Sequence, residues 1–168
     1  AGASGAILQS VAHALVSGAM FLLAGIVERR AATGELALLG GMAKGRPALA
    51  TMLMTAGIIA LAVPGSATFA GEFLILAGVF DQGWAWAAIG AGAVVLAAMY
   101  VLRLISAVLH EAPGPTVTED ALDLRAGEVA IVGALVACVL ALSAWPALVS
   151  ERSFPEGTAG SSLQEASP

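Results

Sequence analysis

Charge is scarce in this chain and cysteine is nearly absent. Only 11% of the 168 residues are charged, whereas 59% are hydrophobic; an ordinary soluble domain carries roughly 25% charged residues. That deficit excludes a water-facing surface of normal size and makes the chain an integral membrane protein. The single cysteine, Cys138, excludes a disulfide framework and a thiolate metal cluster. Its place in the apolar stretch from Ala134 to Leu142 reads as helix packing. Also missing are a His or Cys cluster with metal-ligand spacing, a nucleophile beside a base, and a glycine-rich phosphate loop with its lysine. The formal charge of -5 comes mainly from loop and tail segments, so it says little about partners; no nucleic-acid partner is expected. The chain starts at Ala1-Gly2-Ala3-Ser4-Gly5 and enters an apolar helix without a basic leader or a cleavage site, so a further N-terminal portion is expected.

What is present is length in apolar runs. A bilayer core about 30 Å thick needs roughly 20 apolar residues per spanning helix, and about four such spans can be drawn. The first runs from Ala6 to Val27 and stops at Glu28-Arg29-Arg30. The second, Pro47 to Phe80, is too long for one straight span and too short for two, and Pro64-Gly65 divides it near residues 64–67. A discontinuous helix is the expected form, of the kind that lines ion paths in transporters. The third covers Trp84 to Leu109, with Trp84 and Trp86 as interfacial anchors, and the fourth Gly127 to Val149. The expected fold is therefore an all-α, multi-pass transmembrane bundle over residues 1–150, with 151–168 as a polar, flexible tail. Lys and Arg are retained on the cytoplasmic side. If the broken helix crosses, Arg29, Arg30, Lys44, Arg46, Arg103 and Arg125 share one side against Arg152 on the other. That asymmetry places the 28–46 and 110–126 loops in the cytoplasm, with a bacterial plasma membrane as the expected location.

Few polar groups fall inside the apolar runs. Gln9, His13 and Ser17 recur at i, i+4 and i+8 and so share one face of the first helix. His13 is either an interhelical hydrogen-bonding group or a proton relay, since an imidazole exchanges its proton near neutral pH. Glu72 stands just beyond the Pro64-Gly65 break, in Phe69-Ala70-Gly71-Glu72-Phe73. A carboxylate at that depth is costly and marks an ion or proton path, the alternative being a partner for a backbone donor at the break. At about 1.5 Å per residue, His13 lies roughly 20 Å and Glu72 about 25 Å from the cytoplasmic ends of their segments. Both belong to the outer half, and one hydrated track through both is expected. Arg103 reads as a snorkelling anchor, Thr51 and Thr55 as bonded to their own helix, and Glu128 as complementing the positive end of the last helix.

These residues also carry a resemblance. Leu8-Gln9, His13, Phe21-Leu22-Leu23-Ala24-Gly25, Glu28-Arg29, then Leu39-Gly40-Gly41-Met42 and Pro47, then Pro64-Gly65 through Gly71-Glu72-Phe73, together resemble subunit M, an antiporter-like membrane subunit of the proton-pumping NADH:quinone oxidoreductases of the respiratory complex I family. The match covers roughly Ile7 to Phe80. Ala14 stands where the family usually has Gly, and Ser66-Ala67-Thr68 replaces a Thr-Ser-Gly type of loop; both changes are small for small. The resemblance implies a C-terminal part of subunit M, with Glu72 as the acidic residue of its second broken helix and His13 as its intramembrane histidine. Sister subunits carry Lys where Glu72 stands, so the Glu marks subunit M.

The function so implied is the outward half of a proton channel, with Glu72, His13, Gln9 and Ser17 on the path and Pro64 and Gly65 at the helix break. NADH, FMN, iron–sulfur clusters and quinone would be bound by other subunits, leaving no cofactor and no complete catalytic site here. The expected partners are the other membrane subunits, the lipid bilayer and protons. The equivalent subunit of a membrane-bound hydrogenase or of a cation/proton antiporter complex is the near alternative, and a purely structural scaffold the distant one.

Overall fold

Apolar runs and their breaks decide where the helices stand in a computed structural model that describes residues 2–117 and 122–146. Five α-helices follow one another: α1 (Gly2–Ala31), α2 (Pro47–Ala60), α3 (Ala67–Phe80), α4 (Trp84–His110) and α5 (Ala126–Ala144), with one 3-10 turn at Leu36–Leu38. Among the described residues there is no strand. α1, α4 and α5 are long and apolar enough to cross a bilayer. α2 and α3 have 14 residues each, or about 21 Å at the helical rise, and neither spans alone. They form the discontinuous second element of an all-helical, multi-pass membrane bundle.

α1 begins earlier and ends later than its apolar run. Its first turn is held against α3, where a Cβ on Gly78 would lie 2.6 Å from Gly2 Cα; only glycines let two backbones approach so closely. Its last turn carries Arg29 and Arg30, whose charge favours the negative end of a helix. Ala32, with φ 54°, then turns the chain left-handed. α5 stops at Ala144 because the residue before Pro146 is driven out of helical geometry. The expected tail 151–168, and the last residues of the fourth span to Val149, lie outside the described residues.

The core forms where α1, α2 and α5 meet. Leu23, Met42 and Leu49 are completely buried there, with Val132 of α5 at 1% exposure. α5 buries Val132, Val136, Val139 and Leu142. Cys138 falls off that stripe and is exposed, so it is not part of the buried face by which α5 packs among the described residues. Arg46, 4% exposed, donates from Nη1 to the carbonyl oxygens of Met42 at 2.6 Å and Lys44 at 3.3 Å, closing the loop ahead of α2.

At the α2–α3 break the orphaned backbone groups find hydroxyl partners. Ala62 takes a left-handed φ of 51° and Gly65 one of 99°, which turns the chain between the half-helices. Thr68 Oγ1 donates to Ile59 O at 2.7 Å. Because that uses its only hydroxyl proton, Ser66 Oγ is the donor in its 2.8 Å contact with Thr68. Ser66 Oγ also accepts from Phe69 N–H at 3.1 Å, capping α3. From α5, Ser143 Oγ accepts the Ala67 N–H at 2.9 Å and donates to Val139 O at 2.8 Å. Non-helical backbone at membrane depth requires this kind of satisfaction within the protein.

Candidate functional site

α1 and α3 make the most extensive helix pair, and their contact sets the site. Along α1, the residues Leu8, Ala12, Val16, Ala19 and Leu23 are buried. Gln9, His13 and Ser17 follow each of the first three by one position, so they line the edge of that stripe rather than its centre. α3 brings Glu72 to the same edge because Gly71 precedes it. A Cβ on Gly71 would lie 2.8 Å from Gln9 Cβ and 2.9 Å from Gln9 Cα, so the absent side chain is what lets Gln9 reach the carboxylate.

Gln9 Nε2 donates to Glu72 Oε1 at 3.1 Å. One turn on, Ser17 Oγ and His13 Nε2 are 3.2 Å apart. All four line one cavity of about 290 Å³ between α1, α3 and α4, together with Thr68. Glu72 is half-buried, and His13 is exposed at the open side of the cavity. The direct partner of Glu72 is thus Gln9 rather than His13. Gln9 Oε1 is buried and has no hydrogen-bond partner among the described residues; such an acceptor is costly unless a donor reaches it. Pro64 and Gly65 are exposed at the break and do not line the cavity.

Two contributors escaped sequence reasoning. Thr68 had shown only as a small loop residue, yet it both seals the break and lines the cavity. Ser143 had no signal beyond being a hydroxyl inside an apolar run. Of the remaining polar residues, Thr55 Oγ1 donates to Thr51 O at 2.7 Å, within its own helix, and Arg103 is exposed.

A second polar group lies at the other end of α1. Arg30 Nη2 donates to Glu128 Oε2 at 2.5 Å, with Arg29 Nη2 4.0 Å from Glu128 Oε1. Glu128 also accepts the Arg125 N–H at 2.8 Å. Asp123 reaches over from the acidic loop to the start of α2, accepting the N–H of Ala48 at 2.9 Å and of Leu49 at 3.0 Å. Those are donors that a helix N-terminus leaves unpaired. Burial pushes the Asp123 carboxyl up, but the amides of Ala48, Leu49 and Leu124, with the Arg30 charge, outweigh it and hold it below the usual range. No cluster of three or more His, Cys, Asp or Glu side chains that could hold a metal occurs among the described residues.

A bundle of apolar helices, one of them broken, with a carboxylate beside a polar helix face, defines a multi-pass membrane protein. The transmembrane family described as NADH:quinone oxidoreductase/Mrp antiporter matches residues 1–99, and the chain belongs to it. Subunit M of NADH-quinone oxidoreductase from Rhodobacter capsulatus is 35% identical over 150 residues, covering 89% of this chain and 29% of the relative. The subunit M of Mycobacterium tuberculosis is 37% identical over 147 residues, covering 86% and 26%. Among solved structures, respiratory complex I from Thermus thermophilus with bound NADH matches with a TM-score of 0.69 and 26% identity, over 88% of this chain and 32% of that one. The chain thus spans less than a third of the length of these relatives.

Proposed function

We propose that this chain supplies the outward half of a proton channel in the membrane arm of an NADH:quinone oxidoreductase, as part of an antiporter-like subunit M. The observation that carries the reading is the 3.1 Å bond from Gln9 to Glu72 at the edge of a cavity beside a broken helix. An ionised Glu72 accepts from the Gln9 amide. A protonated Glu72 donates to the Gln9 carbonyl oxygen once the amide turns over, which also gives that buried acceptor its donor. The carboxyl group is therefore served in both protonation states without any other side chain moving. Ser17 and His13 continue the polar edge from there, and His13 is the next group along it that can carry a proton.

In this reading electron transfer takes place elsewhere. NADH, FMN, iron–sulfur clusters and quinone are bound by other subunits, and this chain adds no redox chemistry. The positive-inside bias puts the Glu28–Arg46 and His110–Ala126 loops in the cytoplasm, so that Glu72 releases its proton to the opposite side. The family's description also covers Mrp antiporters, but the names of the relatives at 35% and 37% identity favour the oxidoreductase.

The test is Glu72→Gln in the assembled complex. The expected outcome is normal assembly with fewer protons moved per NADH oxidised in everted vesicles. Proton translocation equal to wild type would reject the role.

A further inference from the structure

Two cavities stand end to end along α1. The first is the one that holds Glu72. The second, of about 140 Å³, lies between α1, α2 and α4 and has Glu28 at its rim. There a Cβ on Gly34 would sit 3.5 Å from Glu28 Cδ, so the carboxyl group lies over the turn that follows α1. Met20, Ala24 and Leu104 line both cavities, so a single layer of side chains separates them. On α1 the positions 13, 17, 20, 24 and 28 follow at helical spacings of three and four, and one edge of the helix therefore runs from the Glu72 site to Glu28.

We propose that the two cavities are one conduit, closed at the Met20–Leu104 layer, which gives the Glu72 site a second aqueous access from the Glu28 face. This rests on the reading of Glu72 as a proton carrier. What passes is water and the protons it carries. The second cavity is large enough for several waters, each needing about 10–15 Å³, but its wall beyond Met20 is Leu23, Val27, Leu53 and Val108. An apolar constriction of this kind closes by dewetting rather than by a solid plug. Met20 suits the closing position because its unbranched side chain has three rotatable bonds, and Ala24 below it leaves room for the swing. Polar groups stand on both sides, Ser17 toward Glu72 and Glu28 at the far rim, so water entering from either end meets a partner.

The experiment uses the whole complex in sealed vesicles. Met20→Ala with Leu104→Ala removes the layer, and a preformed pH gradient is expected to decay several-fold faster than in wild type. Adding Glu72→Gln should return the decay to the wild-type rate. An unchanged decay in the alanine pair overturns the conduit. A fast decay that persists with Glu72→Gln upholds the conduit and rejects Glu72 as the carrier. Should the alanine pair fail to assemble, Met20→Cys alone decides: a membrane-impermeant methanethiosulfonate reagent supplied on the Glu28 face is expected to modify it, and absence of modification overturns the proposal.

Discussion

The two ends of α1 hold carboxylates in opposite ways. Glu128 faces Arg30 at 2.5 Å, has Arg29 at 4.0 Å, and accepts a backbone N–H; Asp123 accepts three N–H groups, from Ala48, Leu49 and Leu124. Each is surrounded by donors. Among the described residues Glu72 has one hydrogen bond, from a neutral amide, on the edge of a cavity. In a medium of low dielectric this difference matters, because several donors or a guanidinium compensate a carboxylate more fully than one neutral amide does. The charged end fastens α1, α2 and α5 together. The polar end holds its carboxylate by a single neutral amide, the arrangement on which the proposed proton path rests.

Three substitutions test that contrast. The largest effect belongs to Arg30→Ala, because the Arg30 and Glu128 side chains are only 14% and 22% exposed. Breaking such a pair leaves the Glu128 carboxylate with only the exposed Arg29 guanidinium at 4.0 Å, at a cost of about 3 kcal/mol. Thermal unfolding in detergent should show the loss, and a cost no larger than that of an exposed surface pair would erase the distinction between the two ends.

Gly71→Ala comes next. Its Cβ meets Gln9 backbone at 2.9 Å, which cannot swing aside as a side-chain tip could, so α1 and α3 must part at a cost of about 2 kcal/mol. Proton translocation should fall with stability, because the parting stretches the Gln9–Glu72 bond. If stability fell but translocation did not, that bond would have no part in transport.

Asp123→Ala has the smallest effect, about 1 kcal/mol from the loss of a cap. Its sign with pH is defined: a carboxyl held low contributes stability above the ordinary carboxylate range and loses it as pH falls through its folded value. The gap between wild type and variant should therefore close in acid. A gap constant from neutral to acid pH would mean that the cap, and not the charge, is what counts.

Legibility in the sequence followed distance along the chain. The break was readable because Pro64 and Gly65 act on their own neighbours, and the polar edge of α1 because helical spacing is local. Glu72 stood out by its mere presence in an apolar run. The partners were not readable. Ser143 reaches Ala67 across 76 residues and Asp123 reaches Ala48 across 75, and the Asp123 loop looked like solvated surface. Cys138 looked like a packing residue because apolar neighbours surround it in sequence, but α5 buries a different stripe.

Composition and period by themselves thus determined a membrane bundle, a broken helix and an acid beyond the break, since each follows from residues close together in the chain. Only the tertiary structure decided that Gln9, 63 residues away, and not His13, holds Glu72, that Ser143 closes the break, and that Glu128 gains guanidinium partners and Asp123 three backbone N–H groups. Those outcomes depend on how closely two helices approach, and at Gly71 that approach is set by a missing side chain whose consequence appears only when α1 and α3 are packed together.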